Sequence, residues 1–307
     1  MTSQNIHLIG VPMDSGKARR GCVMGPDAYR TAGLAEALRD LGHDVQDTGN
    51  VIPGDFDDAP HPHLYALGET IAWTKALSEA SEAACAHSLP IFMGGDHALA
   101  LGTIHGAAAH AATTDRPLFV LWLDAHTDYH TPQTTDSGNL HGTPMGYLTG
   151  RAGFDGFPAV SDPIPHDRIA MLGLRSVDRE ERAALQDTDV AYIDMRHIDE
   201  HGIAKPLSAF LDRVAAENGM LHVSLDVDFL DPSVAPAVGT TVPGGATMRE
   251  GHLVMEMICD SGLMTSLDLV ELNPFLDERG RTAQAMVELT ASAFGRRIFD
   301  RPTRAYS

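Results

Sequence analysis

The sequence predicts an α/β fold, a mostly parallel sheet with helices on both faces, and two observations carry that expectation. Short apolar runs alternate with helical periods along the chain, the order that strand–helix–strand units impose. Several runs are apolar throughout rather than at every second position, as strands covered on both faces are. The strand candidates, in order, are Asn5–Gly10, His43–Asp47, Pro90–Met93, Leu118–Asp124, Arg168–Leu174, Val190–Asp194, Leu221–Asp226 and Ser266–Glu271. Helical patterns fill the gaps at Pro26–Leu41, Leu64–His87, Ala98–Ala111, Pro206–Asn218, Met248–Ser261 and Thr282–Phe294. The first opens on a proline and stops at Gly42, the punctuation expected of a helix. Two loops rich in Pro, Gly and Asp, 47–63 and 150–167, interrupt the alternation. Neither is low-complexity or long enough for an interdomain linker and no internal repeat is present, so residues 1–307 read as a single domain. His61 and His63, in the first loop, read as solvated surface.

Bulk properties narrow the function classes. Of 307 residues, 43% are hydrophobic and 21% charged, ordinary for a globular protein. Lys and Arg total 22 against 42 Asp and Glu, a formal charge of −20. Such a surface repels phosphate backbones and anionic lipid, so neither nucleic acid nor a membrane is an expected partner. No apolar stretch reaches the length of a membrane span, and the N-terminal ten residues lack the pattern of a secretory signal. Cys22, Cys85 and Cys259 are scattered, odd in number and in no CxxC pair, which fits a reducing, cytoplasmic setting.

Chemistry concentrates just after strand ends. The apolar run 118–123 (LFVLWL) leads directly into Asp124, His126 and Asp128 of DAHTD. Charge carried into an interior needs a partner, and a metal cation is the most effective one. Two further motifs sit at the same kind of position: GGDH (Gly94–His97) after IFM, and SLDVDFLDP (Ser224–Pro232), in which Asp226 and Asp228 close a strand. Ligands gather outside the carboxyl ends of parallel strands, so the three segments are expected to meet in one crevice. Alternate residues of an extended segment face the same side, so each DxHxD or DxD unit offers its ligands together. Taken singly each has a plain alternative: a glycine turn with a helix-capping Asp for GGDH, surface acids for DxD. Together, His97, Asp124, His126, Asp128, Asp226 and Asp228 form a donor set too large for one ion and suited to two sharing carboxylates. No thiolate is present among them and oxygen outnumbers nitrogen, which favours two Mn²⁺, with Co²⁺ or Zn²⁺ as possible substitutes. Ions about 3.5–4 Å apart lower the pKa of a water held between them toward neutrality.

GGDHA, DAHTD, SGNLHG and SLDVDFLDP, in this order, resemble the ureohydrolases and most closely the arginases. The likeness runs from LIGVPMDSGKARRGCVMGPDAYR to ELNPFLDERGRTA, most of the chain. It implies an arginase-like catalytic domain: a three-layer αβα fold around an eight-stranded sheet, assembled as a homotrimer or homohexamer. It assigns His97, Asp124, Asp128 and Asp226 to one manganese and His126, Asp124, Asp226 and Asp228 to the other, so that Asp124 and Asp226 bridge. The implied reaction is hydrolysis of L-arginine to L-ornithine and urea by metal-bound hydroxide attacking the guanidinium carbon. Glu271 in VELNP corresponds to the carboxylate holding the guanidinium, a strong charge-assisted pairing. Asp128 corresponds to the group passing a proton to the leaving amine, and His141 to the proton-shuttling histidine. His126 also belongs to the substrate contacts. Thr135, Ser137 and Asn139 resemble the group reading the α-carboxylate end, Asp178 and Glu181 the acids reading the α-ammonium, and Thr240 a pocket-lining position. Alone, Asp178 and Glu181 fit equally well as a helix cap with exposed acids.

Two departures stand out. His130 replaces an Asn that in many arginases contacts the substrate carboxylate, and Ala98 replaces a Ser, removing a hydroxyl beside His97. The alternatives are another ureohydrolase, an agmatinase or guanidino-acid hydrolase with the same metals, and a non-catalytic metal-binding scaffold, against which the complete donor set speaks.

Overall fold

The structure, a computed structural model, describes residues 3–297. Its centre is an eight-stranded sheet, wholly parallel, with strand order β2-β1-β3-β8-β7-β4-β5-β6. The strands are β1 (Asn5–Val11), β2 (Asp44–Asn50), β3 (Leu89–Gly94), β4 (Leu118–Leu123), β5 (Ile169–Leu174), β6 (Ala191–Asp194), β7 (Met220–Asp226) and β8 (Met264–Val270). Each coincides with a predicted run. β2 runs on to Asn50 as an exposed edge strand, in residues read from sequence as loop.

The layers follow from side-chain alternation. In β4, Phe119, Leu121 and Leu123 join one apolar cluster while Leu118, Val120 and Trp122 join the other. The first cluster lies under helices Ala204–Ala216, Met248–Ser261 and Arg281–Ala293, and the second under Leu67–Cys85 and Ala100–Thr113. Among the described residues no helix is long and apolar enough to cross a membrane.

Two helical expectations need correction, and three short helices went unpredicted. The helix expected over Pro26–Leu41 is two, Gly25–Thr31 and Leu34–Arg39, because Gly33 takes φ 83° and breaks the hydrogen-bond ladder between them. The helix expected from Ala98 is a 3-10 turn, His97–Leu99, before the α-helix begins at Ala100. Helices Pro144–Leu148, Arg179–Leu185 and Met195–His201 are too short to show periodicity in sequence.

Register then sets the site. Leu123 pairs with Leu225 and Asp226 with Val270, so Asp124, Asp226 and Glu271 leave adjacent strands at nearly the same level. With β3 on the far side of β8, four neighbouring strands deliver their C-terminal ends to one place.

Candidate metal centre and substrate cleft

Each donor arrives by a local device. In GGDH the capping and ligand readings hold together: Asp96 Oδ1 accepts the Ala98 N–H at 3.0 Å, while His97 turns inward. Gly95 is required there, since a Cβ would stand 2.4 Å from the Met13 carbonyl oxygen. Asp226 Oδ1 likewise accepts the Asp228 N–H at 2.7 Å and Asp124 Oδ1 the His126 N–H at 2.7 Å. Asp128 and Glu271 adopt φ of 45° and 67°, the left-handed region that non-glycine residues rarely occupy. Both belong to the predicted site, which is where such strain tends to be kept.

His97 Nδ1 lies 3.0 Å from Asp124 Oδ2, 3.0 Å from Asp226 Oδ2 and 3.2 Å from Asp128 Oδ2. His126 Nδ1 lies 3.3 Å from Asp124 Oδ1 and 3.2 Å from Asp228 Oδ2. Two groups able to hold an ion result, His97/Asp124/Asp226 and Asp124/His126/Asp228, joined through Asp124. Asp226 falls in the first group, and its Oδ1 also accepts the Asp228 amide.

A divalent pair fits these residues. His97 Nδ1 and Asp124 Oδ2 are buried without a hydrogen-bond partner although they are 3.0 Å apart, so their lone pairs converge on a point instead of pairing with each other. Electrostatics tell the same story. Burial, then the charges of Asp228 and Asp124, push the Asp226 carboxyl well above its usual range. Burial and the Asp124 charge push Asp128 up to about 6. Burial would lower the histidines, yet Asp124, Asp128 and Asp226 hold His97 well above its ordinary value, and Asp228 and Asp124 hold His126 up to about 12. The carboxylates thus demand positive charge at the point the two imidazoles face.

His97 has support that sequence reasoning missed. Its Nε2 lies 2.8 Å from Ser224 Oγ, and its ring stacks on Trp122 at 4.0 Å between centroids, 2° from parallel. Ser224 stands two residues before Asp226 on β7, so the same alternation that placed the ligands could have found it.

The metal groups form the floor of a cleft of about 280 Å³. Every residue expected at the site faces it apart from Asp124 and Asp228, which lie beneath. Glu271 Oε1 accepts the His97 N–H at 2.8 Å and lies 3.0 Å from His141 Nδ1. Its Oε2 pairs with Lys17 Nζ. Against the cost of burial, Lys17 and then His141 hold the Glu271 carboxyl well below its usual range. Lys17, 2% exposed, is absent from the sequence-based set, and only its place in the N-terminal GKARRG stretch hinted at it.

The rim is polar. Thr135 Oγ1 meets Ser137 Oγ at 3.2 Å, and Asn139 Oδ1 accepts the Ala18 N–H at 3.1 Å. Thr240 Oγ1 is 3.4 Å from Asp228 Oδ2. Glu181 does serve helix Arg179–Leu185: its Oε2 accepts the Asp178 N–H at 3.0 Å and its Oε1 the Tyr129 N–H at 2.9 Å. His130 is held at both nitrogens, Nδ1 3.1 Å from Thr134 Oγ1 and Nε2 3.1 Å from Asp178 Oδ2. His61 and His63 are exposed and belong to neither metal group.

A family profile described as Arginase family matches residues 4–295. The arginase of Brucella melitensis is 60% identical over 302 residues, 97% of this chain and 99% of that one. The arginase of Bacillus caldovelox is 38% identical, covering 95% of this chain and 99% of its own. Among solved structures, arginase from Bacillus subtilis superposes with a TM-score of 0.87 at 37% identity, covering 96% of this chain and all of that one.

Proposed function

Because the chain belongs to the arginase family, and is thus a hydrolase of the ureohydrolase type acting on a small guanidino substrate, we propose that it hydrolyses L-arginine to L-ornithine and urea. The observation that carries this is the shared position of Asp124 between two His/Asp groups beneath a cleft that ends at Glu271. The family implies a binuclear metal centre; Mn²⁺ is the reading its oxygen-rich donor set supports, held by His97, Asp124, Asp128 and Asp226 on one side and His126, Asp124, Asp226 and Asp228 on the other. When bound, such a pair supplies a Lewis acid and a water made acidic enough to attack near neutral pH.

The protein's own groups do the rest. Glu271 binds the planar guanidinium through paired charge-assisted hydrogen bonds and turns its carbon toward the metal floor. Asp128 takes a proton from the attacking water and passes it to the departing nitrogen. His141, half-buried 3.0 Å from Glu271, exchanges protons with solvent. Thr135, Ser137 and Asn139 read the α-carboxylate while Asp178 and Glu181 draw the α-ammonium. We read residues 1–307 as one catalytic domain, working in the cytoplasm as a homotrimer or homohexamer.

A second reading, a ureohydrolase for a substrate lacking the α-carboxylate, is favoured by His130, whose ring nitrogens are both engaged instead of being offered to a carboxylate. Comparing kcat/KM for L-arginine, agmatine and 4-guanidinobutyrate, with and without added Mn²⁺, separates the two. L-arginine is expected to lead by at least about tenfold, the value of one lost charge-assisted contact. A preference for agmatine establishes the second reading, and no urea from any of them refutes both.

A further inference from the structure

Lys17 has no task in the reading above, yet its ammonium sits on the carboxylate that reading needs most. It is 2% exposed and paired with Glu271 Oε2. A carboxylate offers about four acceptor positions, two on each oxygen. Here Oε1 serves the His97 N–H and His141 Nδ1, and Oε2 serves Lys17 Nζ with Cys22 Sγ 3.9 Å away. A guanidinium binding side-on needs one position on each oxygen. It also carries the same charge as the ammonium, and two cations in a buried site repel strongly when only one carboxylate faces them.

The segment bearing Lys17 is tied to the substrate loop on both sides. The Gly16 carbonyl accepts the His141 N–H at 2.9 Å, and the Ala18 N–H donates to Asn139 Oδ1 at 3.1 Å. Movement of Asn139 and His141 as a substrate engages them is therefore transmitted to Lys17. Asp96, fully buried and bonded through Oδ2 to the Gly16 N–H at 2.7 Å, lies near enough to act on the Lys17 charge and gives a displaced ammonium a second acid.

We propose that Lys17 is an internal competitor for the guanidinium seat: it neutralises Glu271 in the free enzyme, and a guanidino substrate enters by exchanging its planar cation for the lysine ammonium at Oε2 and for His141 Nδ1 at Oε1. This rests on the assignment of Glu271 as the guanidinium carboxylate. The site is thereby selective for cations that grip both carboxylate oxygens at once, since a single-point ammonium gains nothing over the lysine already there.

The test uses the manganese-loaded full chain with Lys17→Met and Lys17→Gln, and Lys17→Arg as the variant that keeps the cation. In Met and Gln, KM for L-arginine and Ki for guanidinium chloride are both expected to fall about tenfold, the scale of one charge-assisted hydrogen bond removed from the competition, with kcat within about threefold. Lys17→Arg is expected to keep a high KM. An active wild type whose KM is unchanged or raised in both neutral variants overturns the exchange, whereas a wild type that yields no urea overturns the reading of Glu271 itself. A measurement on the unaltered protein stands if the variants do not fold. The chain has three lysines, Lys17, Lys75 and Lys205, and the last two are exposed. With ¹⁵N-lysine labelling and diamagnetic Zn²⁺ in place of Mn²⁺, titrating guanidinium chloride is expected to shift the slowly exchanging Lys17 ammonium resonance to saturation. A resonance that stays in place overturns the proposal.

Discussion

Asp128→Asn separates the cost of the charge cluster from its use. Asp128 is 8% exposed, and burial with the Asp124 charge carries its carboxyl from the ordinary 3.8 to about 6. At about 1.36 kcal/mol per pH unit, that displacement burdens the metal-free fold by about 3 kcal/mol at neutral pH. A carboxyl whose folded pKa lies above its unfolded one binds its proton more tightly in the fold. The burden is therefore absent below about pH 4 and complete above about pH 6. Asparagine has nearly the same shape, tolerates the φ of 45°, and carries no charge. It also loses part of the attraction to His97 Nδ1, 3.2 Å away, which takes back some of the gain. Metal-free Asp128→Asn is accordingly expected to be more stable than metal-free wild type by about 1–3 kcal/mol at pH 7.5. For a chain this long that is about 1.5–5 °C in Tm. Thermal melts of chelator-treated protein at pH 4, 5, 6 and 7.5 test it, with the gap closing toward pH 4. With Mn²⁺ added, the order should reverse while urea production falls by at least about 1,000-fold. A metal-free variant no more stable than wild type at pH 7.5, or a gap that ignores pH, refutes the electrostatic account.

Other expectations follow from single contacts. Glu271→Gln takes the bonded partner from the buried Lys17 ammonium and leaves it only the nearby Asp96, so stability should drop by up to about 3–5 kcal/mol and return largely in the Glu271→Gln/Lys17→Met double variant; equal melting points in the two would contradict the pairing. Ser224→Ala removes the partner of His97 Nε2, and Mn²⁺ affinity measured by calorimetry should fall about 10–100-fold with the fold intact. His141→Ala should lower kcat by about tenfold, less than loss of a metal ligand, and free imidazole should restore part of it because a proton carrier in solution can replace a shuttle; a rate indifferent to imidazole would remove that role.

The sheet was legible because its strands are apolar on both faces, and the metal groups because period-two spacing after a strand end leaves few other arrangements. Less visible were features that depend on register or on distant contacts. Nothing local marks Lys17 as buried, since its burial comes from Glu271, 254 residues further on. Nor does sequence show that His130 turns toward Asp178, or that Asp226 gives one oxygen to a backbone amide. The break at Gly33 was equally hidden, because a glycine inside a helical pattern is compatible with a continuous helix until its φ is known.

The most direct test is the number of manganese ions retained per chain after gel filtration, in wild type and in Asp124→Asn, the change to the one ligand common to both groups. Two ions in wild type and a loss of both sites in the variant are predicted. One ion or none in wild type, or an undiminished two in Asp124→Asn, would contradict a paired centre built on Asp124.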